Sequence, residues 1–241
     1  MSSAAKGSLY NQVKWRRLFT KRQNYNIVSL GFFCSVASEC ERIGVRTTSL
    51  PFDWLITDSF ERVLFLIENR FSGFLTKDNL QQEVDVNPKY YYDPENCIHY
   101  YHDFKLIQPF DDEYISVREK YDKRIHRFYD IISEPTIFIR YVCSDKEMRF
   151  IEDNYNYVNS VLKSFNSDNV IYFILNKDFA VYKEIPNLFF VDKDNNDNVA
   201  RKFLEKVPDL SNDLVLKSKL SKRQIRQNKC RAINKNTEIF L

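Results

Sequence analysis

A chain of 241 residues, 44% hydrophobic and 15% aromatic, suits one folded domain with terminal extensions and excludes a disordered protein. Only four glycines are present and none form a glycine-rich loop, which excludes Walker and dinucleotide fingerprints; no apolar run reaches membrane-spanning length. The net charge of +3 is mild, and five cysteines without a CxxC pair, behind an N-terminus that lacks the apolar core of a secretory signal, point to reduced thiols and a cytoplasmic protein.

Residues 1–24 form a polar, basic leader carrying Lys14, Arg16, Arg17, Lys21 and Arg22. Asn26–Leu30 is predicted as a buried strand stopped by Gly31, and residues 35–43 as a helix with Val36, Ala37, Cys40 and Ile43 at helical spacing and Gly44 as its cap. A polar and aromatic loop, 47–54, follows. A second helix is predicted from Asp58, with Glu61 placed as in a capping box and Phe60, Val63, Leu64, Ile67 and Phe71 facing inward. Residues 76–97 are polar and tyrosine-rich, without a period. Residues 98–106 read as extended, and 113–132 as a helix with Val117, Tyr121, Ile125, Phe128 and Ile132 inward.

Pro135–Val142 is predicted as a second buried strand, Met148–Phe165 as a helix, Val170–Leu175 and Leu188–Val191 as strands, and 197–206 as a helix. Lys217, Lys219, Lys222, Arg223, Arg226, Lys229 and Arg231 then make a solvated, basic C-terminal helix; no nucleic-acid-reading motif accompanies it. Strands alternating with helices predict an α/β fold: three layers, a mostly parallel sheet flanked by helices in the Rossmann-like or SGNH-like manner, with a helical insertion. The leader (1–24), one α/β domain (25–210) and the basic extension (211–241) are the expected divisions.

In such a sheet, ligands sit outside the carboxyl ends of the strands. Ser29-Leu-Gly-Phe-Phe-Cys34 puts Cys34 at that edge and at the start of a helix, where unpaired N–H groups and the helix dipole lower a thiol pKa and can hold an oxyanion. Its base must come from His99, His102 or His126, and His126 lies beside the charged face of the helix 113–132. On a strand, His99 and His102 point to opposite faces, so one of them serves Cys34. Cys97, His99 and His102 lack the spacing of a zinc site, and no metal or other cofactor is expected. Asp53, among apolar neighbours, either orients a histidine or caps its own loop. Arg140, on an apolar strand, should pair with Asp53 or with a substrate acid or phosphate.

Ile27-Val-Ser-Leu-Gly-x-x-Cys34, Gly44-x-Arg46, Ser49-x-Pro-Phe-Asp-Trp54, His102-Asp-Phe104 and Phe138-Ile-Arg140, in this order, resemble a bacterial family described as papain-like cysteine peptidases, the DUF1796 type; the resemblance covers residues 25–180. It implies Cys34 as nucleophile, His102 as general base and Asp53 as orienting acid, with Asp103 as the other candidate acid. Arg140, Arg46 and Ser49 are the expected substrate-binding residues. Association of such proteins with glycosyltransferases and surface-polysaccharide synthesis suits an acyltransferase as well as a peptidase. The strand–Cys–helix order is nearer to SGNH-type esterases, in which a serine follows the first strand, than to a papain layout, although no histidine lies beyond His126 to supply their carboxyl-terminal base. The expected partner is a small-molecule, glycan or peptide substrate, with an acyl donor for a transferase. A non-catalytic module, holding a glycan or nucleotide-sugar beside a glycosyltransferase, is the alternative.

Overall fold

The computed structural model describes residues 25–191, apart from 43–45, 47, 87–88, 106, 108, 177–180, 182 and 184. The basic leader, the capping Gly44, the helix expected at 197–206 and the basic C-terminal helix lie outside the described residues.

Four strands form a parallel sheet in the order β1-β6-β7-β8: β1 (Asn26–Ser29), β6 (Thr136–Tyr141), β7 (Val170–Asn176) and β8 (Leu188–Val191). Successive side chains point to opposite faces and both faces are covered, so these strands read as continuous apolar runs. One face, with Val28, Phe138, Ile171 and Phe173, shares a core with the helices α2 (Phe60–Glu68), α3 (Phe110–Ile132) and α4 (Asp145–Lys163). The other, with Ile27, Ile137, Ile139 and Tyr172, packs against Val36 and Cys40 of α1 (Cys34–Arg42). The expected three layers are therefore present among the described residues.

One expectation is corrected. The parallel sheet is as expected, but the segment between α1 and α3 is not a purely helical insertion: it carries a second, antiparallel sheet, ordered β2-β5-β4-β3. Its strands are β2 (Ile56–Thr57), β3 (Gln81–Glu83), β4 (Tyr90–Asp93) and β5 (Ile98–Tyr100). They are two to four residues long; β5 falls inside the stretch read as extended, whereas in β4 Tyr90 and Tyr91 are both buried although they face opposite ways, so no alternation betrays that strand. Among the described residues the parallel order β1-β6-β7-β8 advances in one direction.

α2 begins one residue later than expected. Ser59, not Asp58, is its N-cap and accepts from Arg62 N at 3.3 Å, because the Asp58 carboxylate is engaged by His99. Among the described residues no helix is long and apolar enough to cross a membrane.

Candidate active site at the end of β1

After β1 the buried Leu30 leads into Gly31, whose φ is +83°. A Cβ there would stand 2.5 Å from Thr57 Oγ1 and 3.2 Å from Arg140 Nη1, so the turn admits only glycine. Thr57 N donates to Phe32 O at 2.9 Å, which ties the turn to β2. The rings of Phe32 and Phe33 lie 5.9 and 5.3 Å from that of Tyr141, which ties it to β6. The chain then enters α1 at Cys34, which is half-buried and not in a disulfide. Cys34 thus sits where the first turn of a helix offers backbone donors and the positive end of its dipole.

Arg140 holds this arrangement together. It is wholly buried, donates through Nε to Glu147 Oε1 at 2.6 Å, through Nη1 to Leu30 O at 2.9 Å and to Thr57 Oγ1, and through Nη2 to Thr57 O at 2.8 Å. The expected partner, Asp53 or a substrate acid, is corrected to Glu147. Glu147 stands seven residues on, in the first turn of α4, where the helix itself brings it back to the strand end. With no exposed surface and four N–H groups bonded, Arg140 positions the turn and has no face toward a ligand.

Arg46, Ser49 and Asp53 are brought together, but with each other. Asp53 Oδ2 accepts from Arg46 Nη1 and from Leu50 N, each at 2.8 Å. Arg46 Nη1 also donates to Ser49 Oγ at 3.1 Å, Arg46 Nε reaches Ala37 O, and Arg46 Nη2 pairs with Glu41. Asp53 therefore caps its own loop. Burial pushes its carboxyl up to about 6, against the pull of Arg46.

The structure does not join Asp53 to His102. His102 is exposed, in the turn after β5, and makes no hydrogen bond or ion pair among the described residues. The neighbouring Asp103 is taken by α3: Lys120 Nζ lies 2.6 Å from Oδ1 and Tyr121 OH donates to Oδ2 at 2.9 Å.

The histidine that does have an acid is His99. Its Nε2 stands 2.7 Å from Asp58 Oδ2, and its Nδ1 is buried and has no hydrogen-bond partner. Its ring packs on Tyr92, with centroids 4.5 Å apart, and on Tyr90 and Tyr101. Asp58 directly follows Thr57, the residue bonded to the Cys34 turn. The dyad depends on the antiparallel register Ile56↔His99, which a two-residue strand does not announce in the sequence.

Two other cysteines are held as thiols. Cys143 Sγ donates to Glu147 Oε2 at 2.8 Å, and burial together with that carboxylate pushes its pKa up to about 12. Burial does the same to Cys40. Among the described residues no group of three or more His, Cys, Asp and Glu side chains could hold a metal ion; His99 of the Cys97–His102 run is bound to Asp58 instead.

A family model described as "Putative papain-like cysteine peptidase (DUF1796)" matches residues 25–178. An uncharacterized protein of Acanthamoeba polyphaga mimivirus is 30% identical over 148 residues, which covers 53% of this chain and 61% of the relative, so the chain spans less than two thirds of that relative's length. No solved structure matches significantly.

Proposed function

The chain belongs to the DUF1796 family, and from that premise we propose that it is a cysteine-dependent hydrolase with Cys34 as its nucleophile. The observation that carries this reading is the placement of Cys34: half-buried, at the first residue of α1, on a turn that Gly31 and Arg140 fix in place. A thiolate there attacks a substrate carbonyl, and the N–H groups of the first helical turn face the developing oxyanion. The carbon–nitrogen or carbon–oxygen bond of the substrate breaks, the leaving group takes a proton from an imidazolium, and water then cleaves the thioester.

His99 is the base this reading takes, because it is the histidine with an acid partner. Asp58 on Nε2 fixes ring and tautomer and leaves Nδ1 unbonded, as the base of a nucleophile–base–acid chain requires. His102, which the motif His102-Asp-Phe104 singles out, is the competing base; what supports it is its exposed ring, unencumbered at the end of the same strand. Arg46, Ser49 and Asp53 shape the loop beside α1 in this reading. Discharge of the acyl-enzyme by a glycan hydroxyl instead of water is the transferase variant, and product analysis with and without a polyol acceptor separates the two.

Iodoacetamide labelling at pH 7, read residue by residue by mass spectrometry, tests the proposal. Cys34 should label at least about tenfold faster than Cys143, and His99→Ala should abolish the difference while His102→Ala keeps it. The opposite pattern in the two variants assigns the base to His102. Equal, slow labelling of Cys34 and Cys143 in the wild type sinks the nucleophile itself.

A further inference from the structure

We infer that Thr57 is a positioning residue: bonded to Arg140 and to the Cys34 turn, it sets that turn and the Asp58–His99 pair against each other, so that thiol and imidazole act as one unit. The inference rests on the reading of Cys34 as nucleophile and His99 as base.

The two halves belong to different sheets. Cys34 follows β1 of the parallel sheet, whereas Asp58 follows β2 and His99 lies in β5 of the antiparallel sheet. Among the described residues no strand of one sheet pairs with a strand of the other, so their relative placement comes from other contacts. β2 has one paired side and one free edge. Ile56 lies opposite His99, and Asp58 N donates to Cys97 O at 3.0 Å, both toward β5. In an antiparallel pair successive residues send their N–H and C=O groups to alternate sides, so those of Thr57 face the free edge.

The Cys34 turn and Arg140 take that edge. Thr57 N donates to Phe32 O at 2.9 Å, and Thr57 O accepts from Arg140 Nη2 at 2.8 Å. Arg140 Nη1 donates both to Thr57 Oγ1 and to Leu30 O. One guanidinium nitrogen thus serves both halves, because Leu30 directly precedes Gly31 and Thr57 directly precedes Asp58. From Thr57 the constraint passes along a single peptide to Asp58, whose Oδ2 stands 2.7 Å from His99 Nε2. The joint is stiff: Thr57 and Arg140 are wholly buried, and Glu147 holds Nε of the guanidinium. Valine would fill the place of Thr57 equally well, so burial alone does not call for a hydroxyl. Without that oxygen one buried, charged N–H of Arg140 loses its acceptor, and the grip on β2 loosens.

The full chain should be compared with Thr57→Val, Thr57→Ser and His99→Ala by iodoacetamide labelling of Cys34 across pH. An imidazolium beside a thiolate lowers the thiol pKa by about one to three units. Thr57→Val should therefore move the inflection of the Cys34 profile up by about one unit or more, with the fold retained by circular dichroism. Thr57→Ser keeps the oxygen and should keep the wild-type profile. A merely structural role would lower the urea midpoint of Thr57→Val and leave its profile in place; that result overturns the inference, as does a serine variant that behaves like the valine one. If His99→Ala leaves the profile unchanged, the base assignment falls and the inference with it. If His99→Ala moves the profile and Thr57→Val does not, only the inference falls. In the wild type, deuterium exchange at Thr57 N–H as fast as at an unprotected amide would show the bond to Phe32 broken and overturn the inference whether or not a variant folds.

Discussion

Arg140 Nε and Glu147 Oε1 stand 2.6 Å apart with side chains 0% and 2% exposed, so a full ion pair is sealed inside the domain. Removing one partner strands the other. Glu147→Gln or Arg140→Met should destabilise the fold by about 3–5 kcal/mol, whereas the double change to apolar residues should recover much of the loss. Urea titration measures both: the midpoint should fall in the single variants at constant slope. Additive losses in the double variant would count against the pair as described.

Gly31→Ala meets two obstacles at once, a φ of +83° and a contact of 2.5 Å with Thr57 Oγ1. The expected loss is about 1–3 kcal/mol from the backbone alone. Because the turn also presents Cys34, iodoacetamide labelling of that thiol should slow even where circular dichroism shows the fold retained. A variant as stable as the wild type, with unchanged labelling, would contradict the account of the turn.

Cys143 and Cys40, both pushed up to about 12, should resist alkylation in the native protein at pH 8 by roughly two to three orders of magnitude relative to an ordinary thiol. In urea both should react at ordinary rates. Peptide mapping after timed labelling decides it; rapid native labelling of Cys143 would mean that Glu147 does not hold its proton.

Asp53, held near 6 when folded, has an ordinary value near 3.9 when unfolded. The folded state therefore binds the proton more tightly. Its contribution to stability is fully present below about pH 4 and is lost as pH rises through about 6. The change is on the order of 2–3 kcal/mol. Carbon-13 titration of the carboxyl should show a midpoint near 6, and Asp53→Asn should flatten this part of the stability profile. A midpoint below 4 would mean that Arg46 outweighs burial.

Which parts were legible follows from what each depends on. β1, β6, β7 and β8 announce themselves because a strand covered on both faces needs apolar residues in a row, and α3 because Val117, Tyr121, Phe128 and Ile132 keep helical spacing. Gly31 marked the turn before Cys34. Of the antiparallel sheet only β5 was legible, inside the extended stretch 98–106; β2 and β3 are too short, and the tyrosines of β4 face both ways. Asp58 and His99, 41 positions apart, meet only through that sheet's register. The need of Arg140 for a buried carboxylate was readable from its apolar strand; that Glu147 supplies it was not, because the choice depends on where α4 returns to the strand end.

The bond from Arg140 Nη1 to Leu30 O spans 110 positions of chain. A ribosome delivers Cys34 long before Arg140 and Glu147 exist, and β1 has no parallel partner until β6 has emerged. Throughout that interval the cysteine lacks the turn that Arg140 and Gly31 hold. If Cys34 is the nucleophile proposed above, the growing polypeptide carries it unarmed, and synthesis past Glu147 completes the bonds that fix its turn.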